Sequence, residues 1–284
     1  MIIELFVVSC GLALAISGSL TFWPMHNWWD FYIPIVLFIA GYVVSLFGIV
    51  WVGIDIAGRF ISLGQKKRDG KVSHVARWIF MQGLHYINMH ANIRYRLRGV
   101  NKIPRKQKFL LVCNHRSKFD SFLISDYLGK YDIAFVTKAS NMKIPLGPRL
   151  MRAMDYLPVD RDDKMQSLEQ MKKASEYIQK GQTCVGIFPE GTRQTEDVIG
   201  PFHEGVFNVA LRARAPIVVM TTWGTENVGK NFPWKSTLVK QDVLCTIPYE
   251  EIADKPAKEV SDMVRDMMIE HLKFLNERSM KSTK

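Results

Sequence analysis

The stretch KFLLVCNHRSKFDSFLISDYLG, Lys108 to Gly129, decides how the rest of the chain is read. Its first half, Phe109 to Cys113, is a short apolar run of the kind a sheet buries on both faces. Its second half reads as a helix, and NHRSK forms the corner between them. His115 follows the strand and Asp120 opens the helix, five residues later. In one continuous helix, residues five apart point about 140° away from each other. A strand–turn–helix corner can instead fold the carboxylate back to the imidazole. An imidazole so held at the carboxyl end of a strand can take a proton from a hydroxyl near neutral pH, while the aspartate steadies the charge that forms. On spacing alone the plainer reading is stronger: Asp120 caps the helix and His115 lies on the surface. Ser117 reads as a turn or capping residue, and no Ser or Cys is obviously set as a nucleophile.

The same strand–helix rhythm extends in both directions. Strands are expected at RYRLRGV, IAFVTKA, YLPVDR, TCVGIFPEG, APIVVMTTWG and LVKQDVLCTIPY. Helices are expected at IPLGPRLMRAMD, DDKMQSLEQMKKASEYIQKG, HEGVFNVALRAR and AKEVSDMVRDMMIEHLKFLNER. The second of these has acids at its start and Lys180-Gly181 at its stop. Such alternation predicts an α/β fold, a central mixed sheet flanked by helices. The four cysteines are dispersed in apolar surroundings without a CxxC, which fits small buried side chains in a reducing compartment.

Upstream the composition changes. Residues 1–62 carry Glu4, Asp30, Asp55 and a single base, Arg59, whereas 65–118 carry fourteen Lys or Arg against one acid, Asp69. Ile2 to Trp23 and Phe31 to Val52 are each apolar enough to enter a hydrocarbon core ~30 Å thick. Trp23, Trp28, Trp29 and Tyr32 cluster about the connector, at the depth amphipathic rings prefer. A hydrophobic helical hairpin over 1–60 is expected, spanning the bilayer or re-entering one leaflet. Both geometries leave its ends on one side. The basic neck, 61–93, assigns that side to the cytoplasm. The absence of a basic n-region argues against a signal peptide. The helix-like run 72–92 suits the membrane interface, and its histidines, His74, His85 and His90, do not stack as metal ligands. No zinc-finger spacing or base–aromatic alternation points to nucleic acid, so anionic lipid is the expected partner. The third segment, 94–284, is the soluble domain.

Two further strand ends carry charge. FPEGTR, Phe188 to Arg193, places a turn glycine, Gly191, before a cation suited to bidentate phosphate contact. YLPVDR ends on Arg161. Taken alone, each arginine reads as a solvated surface charge. Together with His115 and Asp120 they are expected to converge on one sheet edge.

With these blocks in order, the chain resembles the 1-acylglycerol-3-phosphate acyltransferase family of glycerolipid acyltransferases. The resemblance covers roughly 94–224 and rests on N-H-x-x-x-x-D (Asn114, His115, Asp120), on LPVDR ending in Arg161, on FPEGTR, and on APIVVM with Pro216. It implies transfer of an acyl group from a thioester, acyl-CoA or acyl carrier protein, to the 2-hydroxyl of a lyso-lipid, giving phosphatidic acid. It implies His115 as base, Asp120 as its orienter, and Arg161, Arg193 and Lys138 as ligands of the acceptor phosphate. Asn114, Glu190, Gly191 and Thr192 complete the substrate site it implies. No metal or cofactor is required. The sequence departs from the family where a lysine is frequent and His203 stands, and where a glycine is frequent and Asp155 stands; another family glycine is displaced to Gly147. Another lyso-lipid acceptor, or a non-catalytic lipid-binding protein on the same fold, stays open at this point.

Overall fold

A computed structural model describes residues 74–143, 151–152, 154–194, 198–232 and 234–281, with 11–13 and scattered positions between 32 and 48. The expected hairpin lies almost wholly outside the described residues, although 11–13 and the placed positions between 32 and 48 are helical. The neck up to Ser73, Gly147 and the prolines Pro145 and Pro148 also lie outside them. Among the described residues, no helix is long and apolar enough to cross a membrane.

Helix α1 (His74–His90) leads into β1 (Ile93–Arg98), followed by β2 (Leu110–Cys113) and α2 (Phe119–Tyr127). Then come β3 (Ile133–Lys138), β4 (Leu157–Val159), α3 (Lys164–Gln179) and β5 (Cys184–Ile187). The chain continues through α4 (Asn208–Ala213), β6 (Ile217–Trp223), a one-turn helix α5 (Val228–Asn231), β7 (Thr237–Ile247) and α6 (Ala257–Lys281). All seven expected strands form one sheet, in the order β1-β7-β6-β2-β5-β3-β4. Every neighbouring pair is parallel except β6 and β7. The sheet is therefore mixed, and the carboxyl ends of β2 to β6 share one edge.

Residue type explains each strand's place. β2 (LLVC) and β5 (CVGI) are buried throughout and run through the middle of the sheet. β1 (IRYRLR) alternates half-buried with exposed residues, as a charged outermost strand must to discourage further pairing. Alternation in β2 divides two cores. Leu110 and Val112 join the cluster beneath α3, α4 and α6, while Phe109, Leu111 and Cys113 join the one on the opposite face with Leu84 of α1 and Ile124 of α2. Each such fully buried aliphatic side chain stabilises the fold by about 1.5–3 kcal/mol relative to exposure.

The helix boundaries are local chemistry. Asp163 caps α3 by accepting from the Gln166 amide at 2.9 Å. Gly181, at φ +68°, stops it, and Gln182 N–H returns to the Tyr177 carbonyl. α1 docks on the domain through Leu84 and through Asn88, which donates to Asp126 at 2.9 Å. His85 lies 3.3 Å from the same carboxylate, and His90 Nδ1 lies 2.9 Å from the Tyr86 carbonyl. Trp78 and Met89 of α1 face outward.

Candidate active site

The corner after β2 does bring His115 and Asp120 together. His115 Nδ1 lies 2.8 Å from Asp120 Oδ2. The same oxygen accepts the backbone N–H groups of Arg116 at 2.7 Å and Ser117 at 2.8 Å. Asp120 Oδ1 accepts the Thr225 hydroxyl at 2.5 Å. Both Asp120 and Thr225 are wholly buried. The backbone amides can only donate, so Asp120 faces a shell suited to an ionised carboxylate. In the neutral imidazole, an Nδ1–H that donates to this acceptor leaves Nε2 as the lone-pair site. Among the described residues, no group engages Nε2.

The backbone of His115 is gripped as firmly as its ring. Its N–H donates to Glu190 Oε1 at 2.8 Å, and its carbonyl accepts from Gln194 N–H at 2.8 Å. Glu190 Oε2 accepts the Gly200 amide at 3.1 Å. Both carboxylate oxygens of Glu190 are thus used within the protein, which makes it a brace between the β2 and β5 loops. Burial raises its pKa above the ordinary carboxylate range, an effect opposed by its two backbone donors. The imidazole stacks on Phe188, with centroids 4.3 Å apart and planes at 20°, and Phe188 stacks in turn on Phe135 at 5.7 Å.

The loop after β6 supplies a second set of braces. Asn114 exchanges two hydrogen bonds with the Thr222 backbone, accepting from its N–H at 2.7 Å and donating to its carbonyl at 3.0 Å. Arg116 pairs with Glu226 at 2.8 Å, both side chains nearly buried. A buried pair of this kind adds little net stability, but removal of one partner strands the other charge. Asn114, Arg116 and Asp120 therefore each meet a residue of the β6 strand end or its loop.

Gly191 adopts φ +65°, a backbone that L side chains rarely take. A Cβ there would also lie 2.8 Å from His203 Nε2. His203, where the resembled family often has lysine, thus closes over the turn glycine. Asp155, where that family often has glycine, occupies left-handed backbone at φ +56°. Asp tolerates this conformation better than most residues. Burial raises the pKa of its carboxyl, opposed by neighbouring Lys173 and by Tyr177, whose hydroxyl is 3.4 Å away.

The expected cations do not join this cluster. Arg193 is exposed, and among the described residues no partner engages its guanidinium. Thr192 is exposed beside it, its hydroxyl 3.5 Å from Gln194 Nε2. Lys138, the last residue of β3, is exposed two strands from β2, roughly 10 Å across the sheet. Arg161 is exposed beyond β4, one strand farther. All lie on the carboxyl-end edge, spread along it. The sequence reading missed Thr225, Glu226 and the stacking ring of Phe188. Thr225 and Glu226 follow directly on the expected strand APIVVMTTWG, and Phe188 opens the FPEGTR block, and those positions were their only signal.

Among the described residues, no side chain is set as a nucleophile beside His115. Cys113 is buried, and burial first, then the charge of Asp120, raises its thiol pKa well above the usual value. Ser117 Oγ accepts the Phe119 amide at 3.3 Å, consistent with a turn residue. Among the described residues, no cluster of His, Cys, Asp and Glu could hold a metal ion.

Residues 94–223 match the family model described as Acyltransferase. Among named proteins, the chain is similar to the chloroplastic 1-acyl-sn-glycerol-3-phosphate acyltransferase BAT2 of Brassica napus, 27% identical over 182 residues, or 63% of this chain and 51% of that protein. The 1-acyl-sn-glycerol-3-phosphate acyltransferase of Saccharomyces cerevisiae is 23% identical over 205 residues, 70% of this chain and 67% of that one. The chain spans about half the length of the plant relatives it matches. Its fold is similar to that in the crystal structure of the 1-acyl-sn-glycerophosphate (LPA) acyltransferase PlsC from Thermotoga maritima. The TM-score is 0.61 at 19% identity, covering 81% of this chain and 92% of that one.

Proposed function

We propose that the chain is a membrane-bound acyltransferase that moves a fatty acyl group from a thioester to the 2-hydroxyl of 1-acylglycerol-3-phosphate, forming phosphatidic acid. The observation that carries this reading is the His115–Asp120 contact of 2.8 Å, braced by three further donors to the carboxylate, with Nε2 left as the site for a proton. The names of the similar proteins support the acceptor, and the apolar N-terminal sequence supports the membrane location, with the catalytic domain on the cytoplasmic face.

In this mechanism His115 Nε2 takes the proton of the acceptor hydroxyl as its oxygen attacks the thioester carbonyl. Asp120 holds the imidazolium that results. The tetrahedral intermediate collapses, the C–S bond breaks, and the departing thiolate takes the proton back from Nε2. The ester product leaves with His115 restored, and no covalent enzyme intermediate forms. Arg193 and Thr192 bind the acceptor phosphate, with Lys138 and Arg161 farther along the edge. Glu190 and Asn114 act as positioning residues. Acyl-CoA or acyl carrier protein brings the acyl group, and no metal or cofactor takes part.

Purified full-length protein in nanodiscs, given a labelled acyl thioester and 1-acylglycerol-3-phosphate, is expected to form phosphatidic acid. The His115→Ala protein is expected to lose ~10²–10⁴-fold in turnover. Wild-type turnover by His115→Ala would falsify the assignment of the base. Turnover of lysophosphatidylcholine in place of the phosphate monoester would keep the mechanism and replace the acceptor.

A further inference from the structure

Among the described residues, Trp234 is the most exposed large hydrophobic side chain, and the site does not use it. Trp234 is 90% exposed and Phe232, two residues before it, is 50% exposed. The loop that holds them is nonetheless well tied. Phe232 N–H donates to the Val228 carbonyl at 3.1 Å, and Lys235 N–H to the Asn231 carbonyl at 2.8 Å. Asn231 donates to the Thr237 hydroxyl at 2.9 Å, and Arg94 Nε to the Ser236 hydroxyl at 3.0 Å. A loop fixed at both ends thus presents a large apolar ring to the outside.

Topology sets where that ring lies. β7 is antiparallel to β6, so its first residues sit beside the last residues of β6, with Trp223 opposite Lys240. Phe232 and Trp234–Ser236 therefore lie toward the same sheet edge as His115, two strands along, roughly 10 Å sideways, and beyond the last residue of β6. Around it stand Lys230, Lys235 and Arg94, all exposed. The segment from Val228 to Ser236 contains no acid. Arg96 and Arg98 continue the same face of β1 as Arg94, away from the edge.

An exposed Trp and Phe, in a stretch that carries Lys230 and Lys235 and no acid and is tied to Arg94, have the makeup of an interfacial anchor. The rings suit the headgroup boundary, and the cations suit anionic phosphates just outside it. We infer that Phe232 and Trp234 form a second membrane contact, which inserts at the headgroup level of an anionic bilayer and sets the His115 edge of the sheet against the lipid. This adds to the membrane reading above a contact made by the acyltransferase domain itself. Its test reads position, not turnover, so its failure leaves the acyl-transfer proposal standing.

The chain has seven tryptophans, so the contribution of Trp234 is taken as the difference between wild type and Trp234→Phe. Full-length protein is placed in nanodiscs whose acyl chains are brominated near the headgroups, with phosphatidylglycerol as the anionic component. Trp234 emission is expected to lose the greater part of its intensity. The loss should shrink in purely zwitterionic discs and in the Lys230→Gln/Lys235→Gln double variant. Unquenched Trp234 emission overturns the proposal. Quenching indifferent to both lipid charge and the lysines overturns the anionic surface as its partner. Protection of Trp234 from aqueous iodide without quenching by bromine means a second copy of the chain covers it, and also overturns the proposal.

Discussion

The corner after β2 and the rim around Arg193 stand on the same sheet edge but are built in opposite ways. At the corner, Asp120 has four donors, His115 is held by ring and backbone, and Asp120 and Thr225 are fully buried. On the rim, Arg193, Arg161 and Lys138 are exposed and lie strands apart. The corner is tied together by the protein's own groups, whereas the rim cations are exposed. Groups that move protons benefit from fixed geometry, because preorganised dipoles need no rearrangement as charge develops. Groups that capture a diffusing anion benefit from reach.

The sharpest way to break this contrast is Asp120→Asn. The amide nitrogen can replace Oδ1 and face the Thr225 hydroxyl, which can turn to accept. The amide oxygen then keeps the three donors at the Oδ2 position. Shape survives while the charge is lost, so turnover is expected to fall ~10²–10⁴-fold with the melting temperature within a few degrees of wild type. Activity close to wild type would mean that the corner is a folding device and no more. A smaller effect is expected from Arg193→Ala. Acceptor KM should rise about 10-fold or more with kcat and stability nearly unchanged, because a charged hydrogen bond to phosphate contributes about 1.5–3 kcal/mol and an exposed side chain holds little else. A fall in kcat at constant KM would move Arg193 from the rim to the reacting centre. The mildest change is Thr225→Val, which removes one hydroxyl at nearly constant volume. It should lower stability by about 1–3 kcal/mol by leaving Asp120 Oδ1 without its donor, and reduce kcat several-fold, measured by urea unfolding and by turnover of the same preparation. Loss of stability with an unaltered kcat would show that Oδ1 serves the fold alone.

The two regions also differ in how far sequence reveals them. Strand positions follow from short apolar runs, and all seven appear where the pattern places them. The proximity of His115 and Asp120 could be imagined but not chosen over a simple cap. The structure removes the choice, since Asp120 Oδ2 binds the turn amides and the imidazole at once. Thr225 lies 105 residues from Asp120, and they meet only because β6 pairs with β2. Strand order depends on crossovers, which no local period encodes. The same ignorance hides the lateral spacing of Lys138 and Arg161. The short helix Val228–Asn231 was missed as well, because four residues give no period to read. Asp155, which stands where the resembled family often has glycine, takes a left-handed backbone that the sequence alone did not announce.

The pairing of β2 with β6 has a consequence in time. A ribosome that has released Asp120 has made the histidine and the aspartate, yet Thr222, Thr225 and Glu226 are still unsynthesised. Until about a hundred more residues have emerged, Asn114, Arg116 and Asp120 each lack a partner they have in the finished protein. Domains gain their long-range contacts late in synthesis. The corner of the nascent chain is therefore unfinished when Asp120 is made, and its hydrogen-bonded geometry is completed only when the strand that follows the FPEGTR loop takes its place.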